Sequence, residues 1–216
     1  MSLEGVKVGF ALTGSFCTFE GTISKIKAII DAGASVVPVM SFNAYNIDTR
    51  YGKAQDFIKQ IEEITQHKII NTFVEAEPIG IKNLVDIMVI APCTGNTIAK
   101  LANGIADTPV LMAAKSSLRK GNSLVLGIST NDGLSTNAAN IGRLLNTKNI
   151  YFIPFRQDNP ITKPNSLLFD KEYILKTIDA ALQKEQLQPI LLWDFEDCNF
   201  GDGVFYCSFF LKIIDE

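Results

Sequence analysis

Apolar runs of strand length alternate along this chain with segments whose apolar residues recur at helical spacing. That alternation predicts a three-layer, doubly wound, Rossmann-like α/β fold. Parallel strands buried on both faces read as continuous apolar runs, and the crossovers between them read as amphipathic helices. Val6 to Leu12 reads as a first strand. Phe19 to Ala32 reads as a helix with Ile23, Ile26, Ile29 and Ile30 on one face, closed by Gly33. Ser35 to Met40 is a second strand, Lys53 to Thr65 repeats the helical spacing through Phe57, Ile58, Ile61 and Ile64, and Lys68 to Phe73 suggests a short third strand. Leu84 to Ala91, β-branched and apolar on both faces, is the expected central strand. A helix from Asn96 to about Asn103 should follow it, then a strand or buried segment at Pro109 to Ala113, a strand at Ser123 to Ile128 and a helix at Asn137 to Asn146. Tyr151 to Pro154 closes the strand series. Polar Gln157 to Ser166, with Pro160 and Pro164, reads as a long loop, a flap or a partner contact, and Leu167 to Gln183 as the last helix.

The character changes after Pro189. Residues 1–189 read as one α/β domain and residues 190–216 as an aromatic-rich, hairpin-like appendage, with Asn199 to Gly203 as the turn. Its surface would need a neighbour to cover it. The composition, 47% hydrophobic and 20% charged over 216 residues, is that of a globular protein able to bury a large core. A formal net charge of −3 gives no case for nucleic acid or an anionic membrane. No apolar run approaches the ~18 residues that cross a bilayer. The opening MSLEGVKVGF lacks the marks of a signal peptide. Cys17, Cys93, Cys198 and Cys207 form no CxxC pair, so neither a metal site nor a disulfide scaffold is expected, and a cytoplasmic setting fits.

In such sheets ligands bind beyond the carboxyl ends of the strands. Three loops there carry suitable residues. In Thr13-Gly14-Ser15-Phe16-Cys17-Thr18, Gly14 lets backbone amides approach an anion, the hydroxyls can donate, and a helix N-terminus follows. Gly-Ser after a strand is also ordinary turn and cap chemistry, and neither GxGxxG nor GxxxxGK[ST] is present. The second loop is Ser41-Phe42-Asn43-Ala44. The third, Pro92-Cys93-Thr94-Gly95-Asn96-Thr97, packs more hydrogen-bonding groups into one turn than capping alone requires.

The segment APCTGNTIAKLANGIADTPVLMA, with LTGS and MSFNA before it, resembles the three ligand loops of the flavoprotein family, which includes flavin-containing cysteine decarboxylases and flavin prenyltransferases. The resemblance runs from about residue 5 to residue 150. It implies the flavoprotein fold, with Gly14, Ser15, Ser41 and Asn43 at the phosphate of FMN and Thr94, Gly95, Asn96 and Thr97 at its ribityl and isoalloxazine, a bare phosphate being the alternative occupant. Lys100 would be structural. Across residues 1–189, TRYGKA, FVEAEP, STND, TKNIYFIPFRQDNP and KPNSL are similar to a narrower branch of that family, found in spore-forming bacteria. That branch implies one component of a two-component enzyme active during sporulation. Its partner would be a nicotinamide-dependent (NAD(P)) dehydrogenase, and the pair would convert dihydrodipicolinate to dipicolinate. The wider family's tendency to assemble, with the flavin between subunits, also implies a homo-oligomer.

The family's decarboxylases place a His before the central strand, in a position that Pro78 occupies here, and their Pro-x-Met-Asn clasp is replaced by Gly127-Ile128-Ser129-Thr130-Asn131. Decarboxylase or prenyltransferase chemistry is therefore disfavoured. His67, the single histidine, reads as a surface or capping residue, and Cys17 and Cys93 as small packing residues without a neighbouring base. Glu62, Glu63, Glu75 and Glu77 read as solvated acids. No catalytic acid or base is assigned. For a small dicarboxylate substrate the candidate partners are Arg50, Lys115 and Arg156, with Asn131, Gln157 and Asn159 to orient the ring. The alternative function is a non-catalytic flavin- or phosphate-binding scaffold that stabilises the partner enzyme, which the missing histidine supports.

Overall fold

Parallel pairing builds the centre of the molecule. The computed structural model describes residues 2–192 and the backbone of residues 200–201 and 204–205. Strands β1 (Lys7–Leu12), β2 (Ser35–Met40), β3 (Ile87–Cys93) and β4 (Ser123–Thr130) stand in the order β2-β1-β3-β4. All three pairs are parallel. Every residue of β3 is buried, as its unbroken apolar run predicts for a central strand. The order reverses between β1, whose crossover leads outward to β2, and β3, which lies on its other side. The crevice at that switch point is where ligands bind in open α/β sheets.

Helices cover the sheet. Helix α1 (Phe19–Asp31) buries Phe19, Thr22, Ile23, Ile26 and Ile29. It packs against α3 (Ala54–Thr65) and α9 (Ile174–Leu182). Helix α7 (Pro109–Arg119) packs against α4 (Phe73–Ala76) and α5 (Pro78–Ile81), while α6 (Gly95–Ala102) meets α8 (Ala138–Leu145). A short α2 (Phe42–Asn46) follows β2, its first turn capped by Ser41, which accepts from the Ala44 amide.

Four expectations change. Pro109 to Ala113 is the first half of α7 rather than a strand. Thr108 accepts from the Leu111 amide as N-cap and Pro109 takes the first helical position, which a five-residue apolar run conceals. Lys68 to Phe73 reduces to one parallel bridge, Ile70 beside Val39, because Thr72 and Glu75 form a capping box that starts α4. The expected loop Gln157 to Ser166 is mostly a β-hairpin of β6 (Phe155–Asn159) and β7 (Lys163–Phe169). Its tip is fixed by Asn159 Oδ1, which accepts from the amides of Ile161 and Thr162. Leu167 to Phe169 accordingly belong to β7, and the last helix proper begins at Ile174, after a 3-10 turn at Lys171–Tyr173.

The hairpin joins the sheet in an unusual place. The first half of β4 pairs in parallel with β5 (Ile150–Phe152), from Leu124 opposite Ile150 to Leu126 opposite Phe152. Its carboxyl end pairs antiparallel with β7, Ser129 opposite Leu168 and Thr130 opposite Leu167. One strand thus takes two neighbours in succession, and the second raises a wall beside the switch-point crevice. Of the expected appendage, the pairs Phe200–Gly201 and Val204–Phe205 form a two-stranded antiparallel ladder. The remainder of residues 193–216 lies outside the described residues.

Candidate functional site

The loops after β1, β2 and β3 converge as the sequence implied, and hydroxyls tie them together. Thr13, buried at the end of β1, donates to the Pro92 carbonyl at 2.8 Å and accepts from the Thr94 amide at 3.1 Å. Thr94 and Thr97 share a hydrogen bond of 3.2 Å at the start of α6. The Ser41 amide donates to the Leu12 carbonyl at 3.0 Å, holding the second loop to the first. Ser15 Oγ and Ser129 Oγ share a 2.7 Å bond, which links the first loop to the carboxyl end of β4.

Two adjoining cavities result, with Gly14 and Thr94 in the wall of both. The smaller, about 370 Å³, is lined by Ser41, Asn43, Asn96, Thr97 and Lys100 among others. The larger, about 620 Å³, is lined by Ser15, Arg50, Thr94, Ser129, Thr130 and Asn131 and closed on one side by Asp158, Lys163 and Ser166 of the hairpin. Seven of the eight residues implied for a cofactor line one or the other. The eighth, Gly95, lies buried beneath, where a Cβ would stand 2.5 Å from Thr130 Oγ1 and 2.7 Å from both Asn137 Nδ2 and Asp132 Oδ1. Only a glycine lets that polar cluster close over the first turn of α6. The Asp132 carboxylate, accepting from Thr130 and from Asn137 at 2.8 Å, thereby rests where a helix favours negative charge.

Among the described residues the smaller cavity is lined by hydroxyls, amides and one ammonium, and by no carboxylate. That donor set suits a phosphate and a polyhydroxyl chain, so the residues present fit FMN. Lys100 is paired with Asp107 at 2.7 Å, and this hydrogen bond holds the Asp107 carboxyl below its ordinary value. It therefore serves the loop as well as facing the cavity.

The candidate substrate residues divide. Arg50 and Asn131 line the larger cavity. Arg156 lines a separate cavity of about 250 Å³ with Cys17, Thr18 and Lys171. Lys115 lies on α7 in an apolar depression with Leu101, Ile105 and Leu118, apart from the converging loops. Of the two ring-orienting candidates in the hairpin, Gln157 donates to the Pro164 carbonyl and Asn159 makes the tip turn. Neither lines the cavity. His67 is exposed at the end of α3, with Nδ1 2.8 Å from the Thr65 carbonyl oxygen. Pro78 begins α5, and neither it nor His67 lines either cavity. Cys93 is wholly buried, and burial pushes its thiol far above the ordinary value, which fits packing rather than chemistry. Glu75 closes the capping box before α4 and Glu62 accepts from the Ile69 amide, so both have local structural work.

The residues missed are Asp158, Lys163, Ser166 and Ser129. Lys163 donates to Asp158 at 2.7 Å, and Ser166 donates to the same carboxylate oxygen and to Asn131 Oδ1. The Lys163 hydrogen bond holds the Asp158 carboxyl below its ordinary value, and the pair holds the Lys163 ammonium above its own, with smaller pushes from Cys17 and Tyr51. The signal was the KPNSL stretch, but a residue in an expected loop has no wall to be placed on.

The model of the family described as Flavoprotein matches residues 1–178. The B subunit of dipicolinate synthase from Bacillus subtilis is 48% identical over 195 residues, which cover 90% of this chain and 98% of that one. The crystal structure of the corresponding B subunit from Bacillus halodurans superposes with a TM-score of 0.83 at 48% identity, covering 90% of this chain and 100% of the other. The FMN-dependent cysteine decarboxylase SpaF shares the fold alone, with a TM-score of 0.59 at 19% identity over 85% of this chain and 99% of its own.

Proposed function

The chain belongs to the flavoprotein family, and from that membership we propose that it serves as the B component of a dipicolinate synthase. In this reading it works in the cytoplasm of a sporulating cell, as a homo-oligomer, beside a nicotinamide-dependent dehydrogenase that forms the A component. Together they take dihydrodipicolinate to dipicolinate, the ring losing a hydride equivalent and a proton as it becomes aromatic. The observation that carries the reading is the 48% identity sustained over 98% of the Bacillus subtilis protein. A dehydrogenation also needs no counterpart of the decarboxylase histidine, whose position in the sequence Pro78 occupies.

FMN, when bound, would supply a two-electron acceptor. Gly14, Ser41, Asn43 and Thr97 would hold its phosphate and ribityl oxygens in the smaller cavity, with Thr94 at the junction. The chain's own contribution in the larger cavity is to bind and orient. Ser15, Ser129 and Asn131 offer neutral hydrogen-bonding groups, and Arg50 offers charge, against a hairpin wall that excludes water from one side.

A non-catalytic scaffold is the second reading, favoured by the same loss of the histidine. Purified chain, mixed with the dehydrogenase, nicotinamide cofactor and dihydrodipicolinate, should form dipicolinate faster than the dehydrogenase does by itself. An unchanged rate, with the complex shown to assemble, would overturn the catalytic reading and leave the scaffold.

A further inference from the structure

A planar ring with two carboxylates carries two negative charges into whatever pocket receives it. Among the described residues, two cations line the larger cavity, Arg50 on the segment before α3 and Lys163 on the first residue of β7. Each is held in place by its own surroundings. The Arg50 guanidinium lies 4.9 Å from the centre of the Tyr51 ring and donates from Nη2 to the Tyr51 hydroxyl at 2.8 Å. The Lys163 ammonium is fixed by Asp158, whose Oδ2 also accepts from the buried Ser166. Neither cation is used up. An ammonium has three donors and a guanidinium five, so one bond each leaves Lys163 and Arg50 free to serve a ligand.

The two groups come from different elements but share one neighbourhood. Lys163, Tyr51 and Cys17 all line the same cavity, so the hairpin, the segment at 49–51 and the first ligand loop meet around one space. Asp158 is the single carboxylate among the described residues that line it. Its charge is offset by Lys163, so an entering dianion meets a paired acid rather than a bare one. Both cations are exposed, so their contacts bias their positions without locking them, and discrimination comes from complementary charge.

We propose that Arg50 and Lys163 form a two-point clamp that takes one carboxylate of the substrate each, so that the cavity selects a dicarboxylate over a monocarboxylate. The clamp rests on the functional reading above. Asp158 and Tyr51 are positioning residues, since each holds one arm. Lys115 has no part in it, lying in its own depression on α7.

The test uses the chain assembled with its dehydrogenase partner. It reads kcat and KM for dihydrodipicolinate, and inhibition by pyridine-2,6-dicarboxylate and by pyridine-2-carboxylate. Wild type should prefer the dicarboxylate inhibitor by about tenfold or more, the scale of one charge-assisted hydrogen bond. Arg50→Gln and Lys163→Gln should each raise KM about tenfold, leave kcat within about threefold, and bring the inhibitor preference towards unity. Lys163→Arg should restore most of the preference, which a merely structural role for the side chain would not require. Lys115→Gln should match wild type. If Lys163→Gln and Arg50→Gln keep the wild-type inhibitor preference in an active enzyme, or lose kcat with KM and preference unchanged, the clamp is overturned and the synthase reading stands. If the wild-type assembly turns over no dihydrodipicolinate, the synthase reading fails and the clamp falls with it.

Discussion

An alanine at Gly95 has no space to occupy, since its methyl would press on Thr130, Asn137 and Asp132 together. All three belong to one hydrogen-bonded cluster, so relief for one neighbour disturbs the others. Gly95→Ala should therefore cost about 1–3 kcal/mol in urea-induced unfolding, the usual scale of overpacking. It should also weaken any ligand held by Thr94 and Thr97, measured by equilibrium dialysis against FMN. At this scale the sequence was most legible where a loop joins a strand of clear pattern. The loops that carry Gly14, Ser41 and Thr94 to Thr97 meet beyond the strand ends, while Ser15 lines the larger cavity and Gly95 lies beneath both. Single charged residues were harder to read. Arg50 lines the larger cavity while Lys115, equally basic, does not, because the outer face of α7 looks the same in one dimension as a cavity wall.

The β6–β7 hairpin is the element that most alters the picture of the site. Its strands are polar and mostly exposed along β6, so no alternation of apolar residues marked them, and two prolines argued for a loop. What makes it a hairpin is tertiary, namely the pairing of Leu167 and Leu168 with the end of β4. Likewise α7 was hidden because five apolar residues in a row have no readable period, whereas α1 and β3 were plain. The Asp158–Lys163 pair gives the hairpin a pH dependence of definite sign. A carboxyl held below its ordinary value stabilises the fold above that value and ceases to do so as pH falls through the lowered one. Protection of the hairpin amides against hydrogen exchange should drop relative to β3 and β4 as the pH goes from about 6 to about 3. The Lys163→Gln protein should lose most of that difference.

For the whole molecule, the doubly wound sheet was legible because its strands are long, apolar and separated by amphipathic helices, and the switch point follows from their order. The ligand loops fall at that point and make a prediction about stability. A ligand that binds the folded state alone, at 100 times its dissociation constant, adds about 2.7 kcal/mol, a rise in Tm of about 5–10 °C for a chain of this length. FMN should give such a shift in a thermal melt, and inorganic phosphate at the same relative saturation should reproduce it. Absence of any shift with either would count against an anion site at Gly14, Ser41 and Asn43.

The divided loyalty of β4 has one more consequence. Its lower half is committed to β5 and the core, while only Ser129 and Thr130 are committed to β7. Residues between Asp158 and Lys163 could thus be gained or lost over evolutionary time without moving a single core strand. Such changes would alter only the height of the wall and the reach of its lysine. A lineage could in this way refit the pocket to a longer or shorter diacid by editing a few codons at the hairpin tip, leaving the nucleotide-type half of the site as inherited.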